Sequence, residues 1–158
     1  MTSFETVYEQ MLVSVEDYQL NSLYSKNYSA FVSMMVDYIK SGIPEFTECL
    51  QSLTYSTQKS TNADGQSETL YYFDQDLTPK EISILSKTLL LRWWERHIQT
   101  VTSFENKVPL KDFKSMEIAN GLKQKSIYKD KLKEEISYDI MQYHMANISS
   151  MPFFGGTT

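Results

Sequence analysis

The chain is poor in the residues that staple, bend or catalyse. Among its 158 residues there is one cysteine, Cys49, so no disulfide can close within it and a reducing compartment is the simplest setting. The two histidines, His97 and His144, do not make metal-ligand spacing with that cysteine. Five glycines and four prolines are few, which favours long regular elements over a loop-rich fold. No stretch approaches the roughly 18 uncharged apolar residues of a membrane span, and the acidic start MTSFETVYEQ lacks the apolar run of a signal peptide, so neither is expected. A phosphate-cradling glycine loop is missing too, because Gly155-Gly156-Thr157-Thr158 has no strand before it and no helix after it. Ser126 and Lys129 have the Ser-x-x-Lys spacing of an acyl-enzyme, but the companion motifs of that class are absent and the pair falls on a charged helix face. Glu134 and Glu135 are neighbours, so they point to different sides of a helix and cannot flank one bond. No catalytic, cofactor-binding or metal-binding set is therefore expected, and no enzymatic activity.

What is present describes a folded, mainly α chain. Hydrophobic residues at 41% and aromatics at 13% are enough to build a core rather than a disordered segment. Eleven tyrosines suit either a protein–protein surface or the edge of the core. Charge is uneven. Residues 1–78 hold three lysines against eleven acids, a balance of −8, and residues 79–158 hold twelve Lys/Arg against nine acids, a balance of +3. Seven lysines between 111 and 133 are interleaved with Asp112, Glu117, Asp130, Glu134 and Glu135, the pattern of a solvated helix face rather than of a nucleic-acid patch.

Along the chain, Phe4, Val7, Tyr8, Met11 and Leu12 recur at helical spacing, with Ser3 and Thr6 placed to cap the start. Asp17–Ser25 reads as a short helix or an irregular connector. Phe31, Met34, Met35, Tyr38 and Ile39 mark a helix over 28–41, ended by Gly42 as C′ residue and by Pro44. Phe46–Ser56 alternates like a strand, Thr57–Ser67 reads as a polar tip with Asp64-Gly65 as its turn, and ETLYYFDQ is strand-like again, giving a hairpin over about 46–73. Thr78-Pro79-Lys80-Glu81 is a capping box with Pro at the first helical position, opening a helix to about Thr102. Its apolar arc, Ile82, Leu85, Leu89 and Trp93 beside Leu90, Trp94, His97 and Val101, is wide enough for the centre of the domain or for contact with another subunit. After a connector held by Pro109, Asp112 is placed to cap a turn. A last helix is expected over Ser115–Asn147, with Ile118, Leu122, Tyr128, Leu132, Ile136, Ile140 and Tyr143 on one line. Gly121 inside it costs about 1 kcal/mol against Ala, for which close approach of another backbone is the expected return. Residues 1–148 thus read as one helical domain and 149–158 as an extended tail.

The stretch from Leu77 to Ile148 resembles the head–tail connector, or adaptor, proteins of the necks of tailed bacteriophages. The residues that carry the resemblance are Leu77, Thr78, Glu81, Ile82, Ile84 and Leu85, a Trp at 93 or 94, Asp112-Phe113-Lys114, Ala119-Asn120 and Tyr143, preceded by Phe73-Asp74-Gln75-Asp76. It covers roughly residues 70–147, and the first half matches only as a helix–hairpin outline. Gly121 departs from the pattern, where a larger residue is expected, and the Trp93-Trp94 pair leaves two registers open. The resemblance implies a mainly helical adaptor domain with two long C-terminal helices and a β-hairpin insertion. It implies a ring of about twelve copies built through a heterologous interface, in the neck of the virion after assembly in the host cytoplasm. The portal protein would lie on one side and a stopper or tail-completion protein on the other. DNA would pass through the centre without sequence-specific binding, and an extended C-terminal segment would dock on the portal.

Interface residues expected on this reading are Trp93, Trp94, His97 and Gly121 on the long helices, Asp64 and Gly65 at the hairpin tip, and Met151, Phe153 and Phe154 in the tail. Phe153 and Phe154 either insert into a portal cleft or fold back on their own long helix. The alternative class is a small terminase-like DNA-packaging component. Such proteins usually place a helix-turn-helix near the N-terminus, where this chain is acidic, with only Lys26 and Lys40 in residues 1–45.

Overall fold

Each of the first helices is started by a side chain that accepts a backbone N–H. A computed structural model describes residues 1–15, 17–61, 67–105 and 112–149, with the backbone alone at 19, 104–105, 112–119 and 149. Ser3 Oγ accepts from the Thr6 amide at 3.2 Å and opens α1, Phe4–Val13. Asp17 accepts from the Leu20 amide at 2.9 Å at the start of α2, Tyr18–Lys26, which resolves the ambiguous segment as helix. Asn27 accepts from the Ala30 amide at 3.1 Å and opens α3, Tyr28–Gly42. Gly42 does not terminate α3 in a left-handed conformation: it lies at φ −85°, and the chain tightens into a 3-10 turn over Ile43–Glu45 with Pro44 inside it.

The hairpin sits further along the chain than the alternation suggests. Phe46–Ser52 forms turns and bends, and the strands are β2, Tyr55–Thr61, and β3, Ser67–Phe73. β1, Thr2–Ser3, pairs with β3, so the order is β1-β3-β2, all antiparallel, with Tyr55 opposite Phe73 and Thr61 opposite Ser67. An aromatic cluster fixes this sheet to α1: Phe4 lies 4.6 Å from Phe73, 5.4 Å from Tyr55 and 5.6 Å from Tyr71 between ring centroids. Lys40 caps the cluster, 4.3 Å above the Tyr71 ring.

Two long helices complete the fold, α4 over Pro79–Glu105 and α5 over Asp112–Ser149. They are about 40 and 57 Å long at 1.5 Å per residue. Asp112 is thus the first residue of α5 rather than a cap ahead of it. Helix takes 72% of the described residues, so the fold is mainly α. α4 is the central element, packed on α1, α3 and α5, with Ile84, Leu85, Leu89, Leu90, Leu91 and Trp93 all buried. The core is continuous from Phe4 to Tyr143, and each fully buried large side chain contributes about 1.5–3 kcal/mol. Asp64, Gly65, Met151, Phe153 and Phe154 lie outside the described residues.

Candidate interaction surface

The start of α4 is built as its sequence predicts. The Thr78 amide donates to Glu81 Oε2 at 2.6 Å, and the Glu81 amide to Thr78 Oγ1 at 3.4 Å. The same carboxylate does more than cap. It is 1% exposed, the Tyr143 hydroxyl donates to its other oxygen, and the Cys49 thiol reaches that oxygen at 3.5 Å. Tyr143 in turn accepts from the Leu50 amide at 3.1 Å. Burial alone would raise the Glu81 pKa, but the bonds from Tyr143, Thr78 and Cys49 outweigh it and hold the carboxyl below its usual range. Burial and the Glu81 charge push the Cys49 thiol up to about 12, so it is protonated and a poor nucleophile. These groups tie the start of α4, the turn after α3 and the end of α5 together. Leu50, Thr78, Glu81 and Tyr143 line one side of an open groove of about 510 Å³ that also holds Lys80, Gln142 and Ala146.

A second junction of α4 and α5 lies beyond it. Lys87 bridges Asp139, at 2.7 Å, and Glu135, while Lys80 reaches Asp139 at 2.5 Å. Further along, His97 is 9% exposed, with the rings of Trp93 and Trp94 at 6.1 and 5.8 Å. Lys125 Nζ stands 2.8 Å from His97 Nε2, so an ammonium donor fixes that ring nitrogen as the acceptor. Burial, then the Lys125 charge, lowers the His97 pKa, against a smaller opposing pull from Asp17. Trp93 is buried, whereas Trp94 is half-buried with Tyr128 at 5.6 Å and Lys125 at 5.9 Å. Among the described residues neither indole N–H has an acceptor.

Of the expected interface residues, then, Trp93 is buried in the chain's own core, His97 is held by Lys125 of α5, and Trp94 packs on Tyr128 of α5 while keeping a partly open face. Among the described residues, Gly121 has nothing within 4 Å of the position its Cβ would occupy. The close approach occurs at Gly42 instead, where a Cβ would lie 2.9 Å from Thr88 Cγ2. The residues that sequence reading passed over are on the outside of α5. Ile127, Tyr138, Met141 and Met145 are 42–60% exposed, on the face opposite Leu132, Ile136 and Tyr143. A second helical phase, offset from the core line, is the signal that marks them. On the hairpin, Thr57–Thr61 is exposed throughout, and among the described residues β2 pairs only with β3, which leaves its other edge open there.

Among the described residues no three His, Cys, Asp or Glu side chains stand close enough to hold a metal ion, and no helix is long and apolar enough to cross a membrane. Comparison of the chain with protein-family models, with curated proteins and with solved structures finds no match.

Proposed function

We propose that this chain is a structural component of a tailed-phage neck, a head–tail adaptor that assembles as a ring between the portal and a stopper or tail-completion protein, with DNA passing through. The observation that carries the reading is the contact between Glu81 and Tyr143. Both are positions of the adaptor-like pattern, 62 residues apart in sequence, and they meet in one buried hydrogen-bonded unit together with the capping Thr78. The surfaces suit assembly: an open strand edge on β2 takes strand addition, and an apolar stripe on α5 exceeds what the chain's own core covers. A charge balance of −8 over residues 1–78 keeps that half from adhering to a polyanion in transit.

The terminase-like alternative gains little from α2 and α3. They hold Lys26 and Lys40 against Asp37, with Asp17 at the start of α2, too weak a basic footprint for a DNA-reading helix pair. Immunogold labelling of virions that contain the protein decides the matter. Label at the neck is the expected result. Label confined to the capsid or tail tip, or none on purified particles, rejects the adaptor reading. Submicromolar, sequence-selective binding of duplex DNA near physiological salt would replace it with the packaging reading.

A further inference from the structure

The exposed residues of α5 form a second seam. Ile127, Lys131, Glu134, Tyr138, Met141 and Met145 follow one another at intervals of four, three, four, three and four. That is the 3.5-residue period of a helix face that packs on another helix. It extends over about 27 Å of helix at 1.5 Å per residue. The chain's own core occupies the other side, through Leu132, Ile136 and Tyr143. Four apolar side chains on the seam are 42–60% exposed, and Lys131 and Glu134 between them are exposed as well.

The two charged positions decide what fits. Lys129 pairs with Asp130 and Glu135 with Lys87, but Lys131 and Glu134 have no ion-pair partner among the described residues. They are the second and third of its six positions, with Ile127 on one side and Tyr138 at the same distance on the other. Turned end for end about the point midway between 131 and 134, the first four positions of the seam complement themselves. Lys131 then meets Glu134 of a second copy, Glu134 meets its Lys131, and Ile127 packs against its Tyr138. Parallel pairing in register would instead set Lys131 on Lys131 and Glu134 on Glu134. The opposed helix dipoles also favour the antiparallel arrangement.

We infer that the outer face of α5 pairs antiparallel with the same face of a second copy of this chain, giving a two-fold dimer of the free protein. The contact is isologous, so it differs from the head-to-tail contact a ring requires and does not rest on the neck reading. In a dimer Met141 and Met145, at the apolar end of each seam, meet the polar Gln124 and Asn120 of the other chain. The pairing is therefore strongest at its centre and reversible.

Sedimentation velocity at low salt tests it, with helical content checked by circular dichroism. The wild-type chain should sediment as a dimer of the 18.4 kDa protomer at micromolar concentration. Lys131→Glu and Glu134→Lys should each weaken association on the order of tenfold, because each turns two attractive cross-pairs into repulsive ones. Their equimolar mixture should recover it. Ile127→Glu lies on solvent-exposed helix, leaves folding intact and tests the apolar contact with Tyr138 of the other copy. Orientation is read by oxidising a mixture of Ile127→Cys and Tyr138→Cys chains. Antiparallel pairing gives the mixed disulfide between the two variants. Two Ile127→Cys chains would hold their new thiols about 16 Å apart along the axis and stay unlinked. A wild-type chain that stays monomeric at about 100 µM, well above the micromolar range of transient contacts, overturns the inference. So does any assembly unaffected by Lys131→Glu and Ile127→Glu, a mixture of charge variants that fails to reassociate, or a disulfide that joins two Ile127→Cys chains through position 127.

Discussion

Tyr143 holds two polar groups at once, one of them a carboxylate buried away from water. Its hydroxyl donates to the buried Glu81 and accepts from the Leu50 amide. Tyr143→Phe keeps the ring, which lies 5.3 Å from Phe46, and removes only the hydroxyl. The expected loss is about 1–3 kcal/mol, because a buried carboxylate and an amide each lose a partner. Urea denaturation measures it, and a change under about 0.5 kcal/mol, the scatter of neutral surface substitutions, would show that the junction is not holding the helices. His97 adds a pH dependence. Its folded pKa is depressed from the usual 6.5, by burial first and by Lys125 second. A base with a depressed folded pKa is penalised for protonating, so its contribution is full above 6.5 and erodes as pH falls below that value. The melting temperature should therefore drop between about pH 7 and pH 5, and His97→Gln should make the slope shallower. Equal slopes would remove His97 from the account. The capping half of the Glu81 site was legible, since Thr78 and Glu81 are three residues apart. Its Tyr143 half was not, because no local pattern encodes a hydrogen bond across 62 residues.

Elements were legible where burial imposes a period. α1, α3, α4 and α5 fall within a few residues of their apolar repeats, and helix ends are uncertain by that much in any case. The hairpin misled for an opposite pair of reasons. Phe46–Ser56 read as a strand, yet Phe46 is buried beside Tyr143 and Cys49, three residues on, turns toward Glu81, the spacing of a segment of turns. β2 looked like a loop because Thr57–Thr61 is solvent-exposed on both faces, and a strand without a buried face has no hydrophobic alternation to read. Gly42 was read as a terminator when its role is to let α3 approach α4. Thr88 cannot easily turn away, since it is 2% exposed and its hydroxyl donates to the Ile84 carbonyl at 2.9 Å. Gly42→Ala should thus destabilise by about 1–2 kcal/mol, the overpacking penalty exceeding the gain in helix propensity. Thr88→Ser deletes the opposing methyl and should recover most of the loss in a double-mutant cycle. Additive effects, or an Ala variant more stable than wild type, would mean the contact is loose.

Across the whole molecule, the features that stabilise the chain and those offered to partners occupy different places. The core runs through α1, α3, the inner faces of α4 and α5 and the base of the sheet, where Phe4, Phe73 and Tyr71 pack together. The outer rungs of the hairpin contribute little to it. Lys59, Ser60, Thr61, Ser67 and Thr69 are exposed, and Glu68 between them is only half-buried. Among the described residues, these rungs bury no side chain fully. An exposed polar strand with an open edge gains free energy only when something pairs with it. Replacing Lys59–Thr69 with Asn-Gly retains the Gln58–Leu70 rung and supplies a turn suited to a two-residue loop. The shortened chain should melt within about 2 °C of wild type, as expected when only surface residues are lost. Under the neck reading it should also fail to complement particle assembly when it is the only copy supplied. Dimerisation through α5 should continue, because the seam lies on another element. A large drop in melting temperature with normal particle yield would reverse the assignment and make the distal hairpin part of the fold rather than part of the assembly.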